Sequence, residues 1–206
     1  MANQANFTLG GPRSPAAIEL ACELIHTRQT VLPKRLCAPG PDARQTSQIL
    51  AAAAHAPDHH ELLPWRLVTV PASARAALGD AFAAALRERD AAATPAEIAQ
   101  AREKAARAPL LLLAVVRLRD ADEEIPPHER LISAGCAIQN LLLMAHALGF
   151  GAALTSGKAL QSAPLRELFK LGQDEQALCF INIGTPEHPK PIRQRPAVER
   201  YVSVLE

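Results

Sequence analysis

The stretch APDHHELLPWRL, residues 56–67, gathers two histidines, two carboxylates and the only tryptophan of the 206-residue chain. Asp58, His59, His60 and Glu61 are of the types that ligate metals, whereas Pro64 and Trp65 suit the lining of a pocket. A metal centre needs its ligands to converge, and this segment follows a helix end and a proline, with no complementary cluster elsewhere in the sequence. No metal site is therefore expected. Cys22, Cys37, Cys136 and Cys179 lie far apart and form no C-x-x-C pair, which argues against a zinc cage or a disulfide framework. Cys37 stands near Lys34 and Arg35 but has no evident base, and Cys136 lies in an apolar helix where a thiol is inert. No G-x-S-x-G turn supports a serine nucleophile, and the dinucleotide and nucleoside-triphosphate glycine fingerprints are absent.

A second set of residues suits an anion. Thr27, Arg28, Gln29 and Thr30 end the first helix and enter a loop carrying Lys34 and Arg35. A guanidinium presents a planar fork to phosphate, and hydroxyl or amide groups can complete the shell. The late LTSG turn supplies hydroxyls, and PIRQRP supplies Arg195. Each of these pieces alone reads equally well as solvated surface.

The elements that must hold these groups are legible from period and punctuation. Pro15 to Thr27 reads as a helix with Ile18, Cys22 and Ile25 on one face. Pro33, Pro39, Gly40 and Pro41 then break the chain, and Asp42 caps a second helix running to about His55, with Ile49 and Leu50 inward. RLVTVP (66–71) is a short strand, followed by two Ala-rich helices over Ala72 to Arg89 and Pro95 to Arg107. PLLLLAVVR (109–117) has the unbroken apolar character of a strand covered on both faces. A helix from about His128 stops at Gly149, and its apolar residues wrap nearly its whole circumference. Such a helix must be covered all round, either centrally or by a second subunit. GAALTSG (151–157) and ALCFINIGTP (177–186) read as strands, and the tail ends in the strand-like YVSVL.

Composition bounds the partners. Twenty-two basic against twenty-one acidic residues leave no excess charge for nucleic acid or an anionic membrane. The run Leu131 to Phe150 carries no formal charge, yet Ser133, Gln139, Asn140 and His146 interrupt it, so it belongs inside protein and not in lipid. The first fifteen residues lack the apolar run of a signal peptide. The expected organisation is a loose arm over 1–14 and a single domain over 15–206, in a reducing, cytoplasmic setting.

Taken together and in order, LIHTRQT, APDHHELLPWRLVTV, SAGCAIQNLLLMAHALGFGAALTSG and INIGTPE resemble the flavin-dependent nitroreductase family, in particular its small compact branch. The resemblance runs from about Ile18 to the C-terminus. It implies an α+β fold, with a central, mostly antiparallel sheet flanked by helices, in an intertwined homodimer. It also implies one FMN per subunit, held at the dimer interface. Thr27, Arg28 and Gln29 fall where relatives have Arg-Arg-Ser, with Arg28 keeping the central charge. His55 falls where a relative has Arg, and His59 falls beside the cofactor with Pro64 and Trp65 as a wall; Asp58 then caps the turn and Glu61 is exposed. Leu154, Thr155 and Ser156 match the turn lying against the flavin, and Arg195 is the phosphate partner in the tail. NADH or NADPH would deliver hydride to flavin N5, and a nitroaromatic or quinone acceptor would then take the same place, so no catalytic side chain is named. The alternatives are a flavin-binding or interaction protein without turnover, and a family member with another flavin task.

Overall fold

The computed structural model describes residues 14–119, 124–188 and 193–205. The arm expected over 1–14 falls outside these residues except for Ser14.

Helix α1 (Pro15–Thr27) starts on a Ser14 side-chain cap with Pro at its first turn. Strand β1 (Leu36–Cys37) follows, then α2 (Ala43–Ala53), which Asp42 and Gln45 close in a reciprocal capping box. After β2 (Trp65–Thr69) come α3 (Arg75–Arg89) and α4 (Pro95–Glu103), the latter begun by a Thr94–Glu97 capping box. Strand β3 (Leu110–Arg117) leads to the long α5 (Pro127–Ala147), then β4 (Gly151–Thr155), α6 (Ala163–Leu168) and β5 (Glu175–Pro186). Gly149, at φ 85°, ends α5 as expected, and Phe150 N–H donates back to the Ala145 carbonyl at 2.9 Å.

The sheet is antiparallel in every pairing, in the order β1-β5-β3-β2 with β4 also paired to β5. Strand β3 alternates its side chains between two cores. Leu112 and Ala114 meet Ile49, Ile138, Leu141 and Ala145 under α2 and α5, with Ile181 and Ile183 of β5 beside them. Leu111, Leu113 and Val115 face Leu78, Leu160 and Leu165 on the opposite side with Phe180. The helix–sheet–helix layering is the α+β arrangement expected. Where β5 passes the start of β3, Gly184 lets Pro109 approach, since a Cβ there would sit 2.6 Å from Pro109 Cδ.

Three features differ from the sequence reading, and a fourth bears on the long helix expected to be covered centrally or by a second subunit. The second helix ends at Ala53, two residues before His55. The helices expected from Ala72 and to Arg107 are trimmed to α3 and α4, with short 3₁₀ turns at 72–74 and 104–106. The tail forms no strand: Val202, Val204 and Leu205 are exposed and pack on nothing in their own chain. Helix α5 is covered on one side only, leaving Leu131 and Ile132 exposed. Helix α6 and the 3₁₀ turn at Lys158–Gln161 had no signal strong enough to be noticed. No helix among the described residues is long and apolar enough to cross a membrane.

Candidate functional site

The end of α1 is joined to the end of α5 and to the edge of the sheet. Val31 N–H donates to the Ala152 carbonyl at 2.9 Å, so residues 27–31 run beside β4. Thr27 Oγ1 donates its single proton to the Glu23 carbonyl at 2.6 Å. Its 2.7 Å contact with His146 Nε2 is therefore an N–H donated by the ring, which fixes the histidine tautomer. The Thr27 hydroxyl is thus turned into the protein and serves as a latch between the two helix ends.

Arg28, the last turn's cap, stands clear of that latch. Arg195 Nη2 donates to the Arg28 carbonyl at 3.4 Å across a separation of 167 residues. Burial and then the like charge of Arg195 push the Arg28 guanidinium below its ordinary pKa. Among the described residues neither guanidinium meets a carboxylate. Two cations brought together without a counter-ion make an anion site. His146 completes the edge of this cluster; burial, then Arg28, lowers its pKa, with Glu23 opposing. Gln29 lies in the same segment, half-buried.

The APDHHELLPW segment forms a strained turn. His60, Glu61 and Leu63 all have positive φ, at 55°, 54° and 47°. Asp58 holds the turn by accepting from Leu63 N–H at 2.6 Å, as expected of a turn cap, and Glu61 is exposed. Non-glycine residues held this way are characteristic of sites where a loop must present its wall accurately. His59 Nδ1 lies 2.8 Å from Glu129 Oε2 at the start of α5. Trp65 Nε1–H donates to Ser133 Oγ at 3.1 Å, and Pro64 is buried beside it. His55 is exposed just beyond α2. Among the described residues no three of His, Cys, Asp and Glu gather as a metal would require.

Within one chain these two halves stay apart. His59 is anchored at Glu129 and Thr27 at His146, seventeen residues along one helix, which at 1.5 Å per residue is about 25 Å.

The third part is a cavity of about 510 Å³ between α3, α4, the 158–161 turn and the sheet. A volume of this size lies in the range of small-molecule sites. Thr155 and Gly157 belong to its wall, so it adjoins the Leu154–Ser156 turn; Leu154 itself faces the other way, exposed on the α5 side with Ser156 also exposed. Phe82, Leu111 and Phe180 form an apolar floor, and Lys104, Arg107 and Lys158 bring positive charge. None of these cations, nor Asn182, was singled out from the sequence. The signal for Asn182 was present as one amide in the apolar run ALCFINIG.

The Nitroreductase family model matches residues 36–185. The chain is 32% identical over 169 residues to the "Putative NAD(P)H nitroreductase YdjA" of Escherichia coli K12, covering 81% of this chain and 88% of that one. It is 33% identical over 165 residues to a "Putative NAD(P)H nitroreductase" of Haemophilus influenzae, covering 80% and 88% respectively. Among solved structures, a nitroreductase-like family protein from Bacillus cereus superposes with a TM-score of 0.75 at 18% identity, over 97% of this chain and 100% of that one. An NADPH:FMN oxidoreductase from Vibrio harveyi, complexed with NAD+, gives 0.68 at 19% identity over 91% and 77%.

Proposed function

Because the chain belongs to the nitroreductase family, we propose that it is an FMN-dependent oxidoreductase using NADH or NADPH. The observation that carries this reading is the pairing of a partly buried Arg28 with an exposed Arg195, neither meeting a carboxylate among the described residues. That pair fits a phosphate monoester, and the cavity beside Thr155, about 510 Å³, is of small-molecule size. When bound, FMN supplies hydride transfer through N5, taking electrons from the nicotinamide and giving them to a nitroaromatic, quinone or similar acceptor in ping-pong order.

The chain's own residues hold, orient and polarise. Arg28 and Arg195 neutralise the phosphate, and Gln29 adds an amide beside them. Thr27 is a positioning residue, its hydroxyl joined to His146. Lys104, Arg107 and Lys158 line the cavity beside Thr155 and would favour negative charge on a molecule bound there. His55, His59, Pro64 and Trp65 form a wall that their own chain cannot bring to Arg28. A second copy with its α5 antiparallel would do so, and the uncovered face of α5, with Leu131 and Ile132, is where that copy would pack. We therefore assign a homodimer with one FMN per subunit at the interface, in a reducing cytoplasm that keeps all four cysteines as thiols.

The test is mass spectrometry of ligand released by heat, joined to anaerobic addition of NADH or NADPH. FMN is expected, with loss of its visible absorption on reduction. No flavin, even after incubation with FMN, would overturn the reading. Bound FMN that neither nicotinamide reduces would leave a flavin-binding protein without turnover.

A further inference from the structure

Helix α4 turns an unusual face towards the sheet. Glu97, Gln100 and Ala101, continued by Lys104, recur at the i, i+3, i+4, i+7 spacing that marks one helix face, and all four line the cavity of about 510 Å³. A helix that only roofed a core would turn large apolar residues that way. Phe82 and Leu86 of α3, with Leu111, Leu160 and Phe180, make the rest of the wall apolar and partly aromatic. Phe82 and Phe180 meet edge to face, their ring centroids 5.5 Å apart. The charge in the wall is mostly positive. Arg89, Lys104, Arg107 and Lys158 stand against one carboxylate, Glu97, which already accepts from Thr94 N–H and Oγ1 at 2.9 and 2.8 Å. Arg107 Nε is buried with no hydrogen-bond partner among the described residues; Glu103 Oε1, on an exposed side chain, stands 3.5 Å away without accepting from it. An unmet guanidinium N–H beside an aromatic floor suits an anion carried on a flat apolar body.

We propose that this cavity is a ligand site of its own, taking an aromatic carboxylate. The carboxylate accepts the Arg107 Nε–H and a neighbouring Nη–H as a fork, Lys104 and Lys158 add charge, and the ring system lies on Phe82, Leu111 and Phe180. The wall holds none of Arg28, Arg195, Leu154 and Ser156, so the site stands apart from the phosphate pair and does not rest on the FMN reading. Thr155 belongs to the wall whereas Leu154 faces the α5 side, so strand β4 separates the two regions.

Isothermal titration calorimetry on the full chain, with and without added FMN, compares 2-naphthoate with the neutral 2-naphthalenemethanol. The acid should bind about tenfold or more tightly than the alcohol. Arg107→Gln should bring the two within about threefold of one another, by weakening the acid and sparing the alcohol. Added FMN should change the affinity for the acid by less than about threefold, as for separate sites with little coupling. Equal affinities for acid and alcohol in the unaltered protein would overturn the proposal, and so would a ratio that Arg107→Gln leaves unchanged. Competition between the acid and FMN would place the acid in the flavin site and refute this one. A chain that binds the acid but never FMN would sink the flavin reading and leave this one standing. Should Arg107→Gln not fold, methyl spectra of the unaltered protein decide the matter. Shifts at Leu86, Leu111 and Leu160 on adding the acid support the site, and shifts confined to Leu131, Ile132 and Leu154 refute it.

Discussion

Arg28 and Arg195 repel each other in the free protein, and a bound phosphate relieves that repulsion. Arg28→Ala and Arg195→Ala should therefore each lower FMN affinity about tenfold to a hundredfold, the worth of one charge-assisted hydrogen bond of roughly 1.5–3 kcal/mol. Riboflavin, which lacks the phosphate, should bind both variants as it binds the parent. Parallel titrations with the two flavins check this, and an equal loss for riboflavin would move the phosphate elsewhere. His146 makes a separate prediction. Its folded pKa lies below the ordinary 6.5. Between the folded value and 6.5 the unfolded chain binds more protons, so stability rises with pH across that window and falls on acidification through it. His146→Gln keeps an N–H for Thr27 and removes the titration, so melting temperatures of the apo-protein between pH 7.5 and 5.5 should decline less in the variant. Part of this scale was legible: the resemblance implied Asp58 as a turn cap, and Leu63 N–H does donate to it. The inward turn of the Thr27 hydroxyl was not, because it depends on His146, 119 residues away. Nor was the cation set of Lys104, Arg107 and Lys158, since their convergence is a product of packing.

Arg75 is the joint between the two halves of the α3–α4 layer. It donates to the carbonyls of Val70, Ala105, Ala108 and Pro109 at 2.9, 2.7, 3.2 and 3.3 Å. Removing it strands carbonyls at the ends of two elements, so Arg75→Leu should cost about 2–3 kcal/mol, read as a lower denaturant midpoint with an unchanged slope. At the far end of the sheet Arg66 of β2 reaches Glu175 of β5 in a bidentate pair at 2.6 and 2.9 Å. That partnership first, with Gly172 N–H assisting against burial, holds the Glu175 carboxyl at about 2. The depressed value means the contribution is whole above the unfolded 4.5 and is lost as pH falls towards 2. Glu175→Gln should therefore lose about 1 kcal/mol near neutrality, the screened worth of a half-exposed pair, and unfold less steeply in acid. Acid titrations followed by circular dichroism would check the difference. The elements themselves were mostly foreseen, because caps at Asp42 and Gly149 and the apolar run of β3 are local signals. What sequence misjudged were ends: His55 lies past α2 because the chain must turn towards Pro57, and the tail, whose strand signal was purely local, pairs with no strand among the described residues.

Helix α1 buries no residue in its own chain, and Ile18, Leu20 and Ile25 are all more than half exposed. Together with the uncovered side of α5, this face asks for a second copy. Ile25→Glu with Ile132→Glu should give a species sedimenting at the mass of one chain with greatly weakened FMN binding. A dimer that survives both changes with full FMN affinity would exclude this face. The sequence signalled this surface in the all-round apolar character of α5, but which side would stay bare depended on where α2 and the sheet came to rest.

The backbone bond from Val31 to Ala152 also sets an order of events during synthesis. Helix α1 leaves the ribosome early, yet its strand-edge partner is made 121 residues later, roughly 6–25 s at 5–20 residues per second. Throughout that interval the segment after α1 has no sheet edge to rest on, and the apolar face of α1 stays bare even afterwards in its own chain. Helix α1 is thus made well before the strand edge that ties its end down.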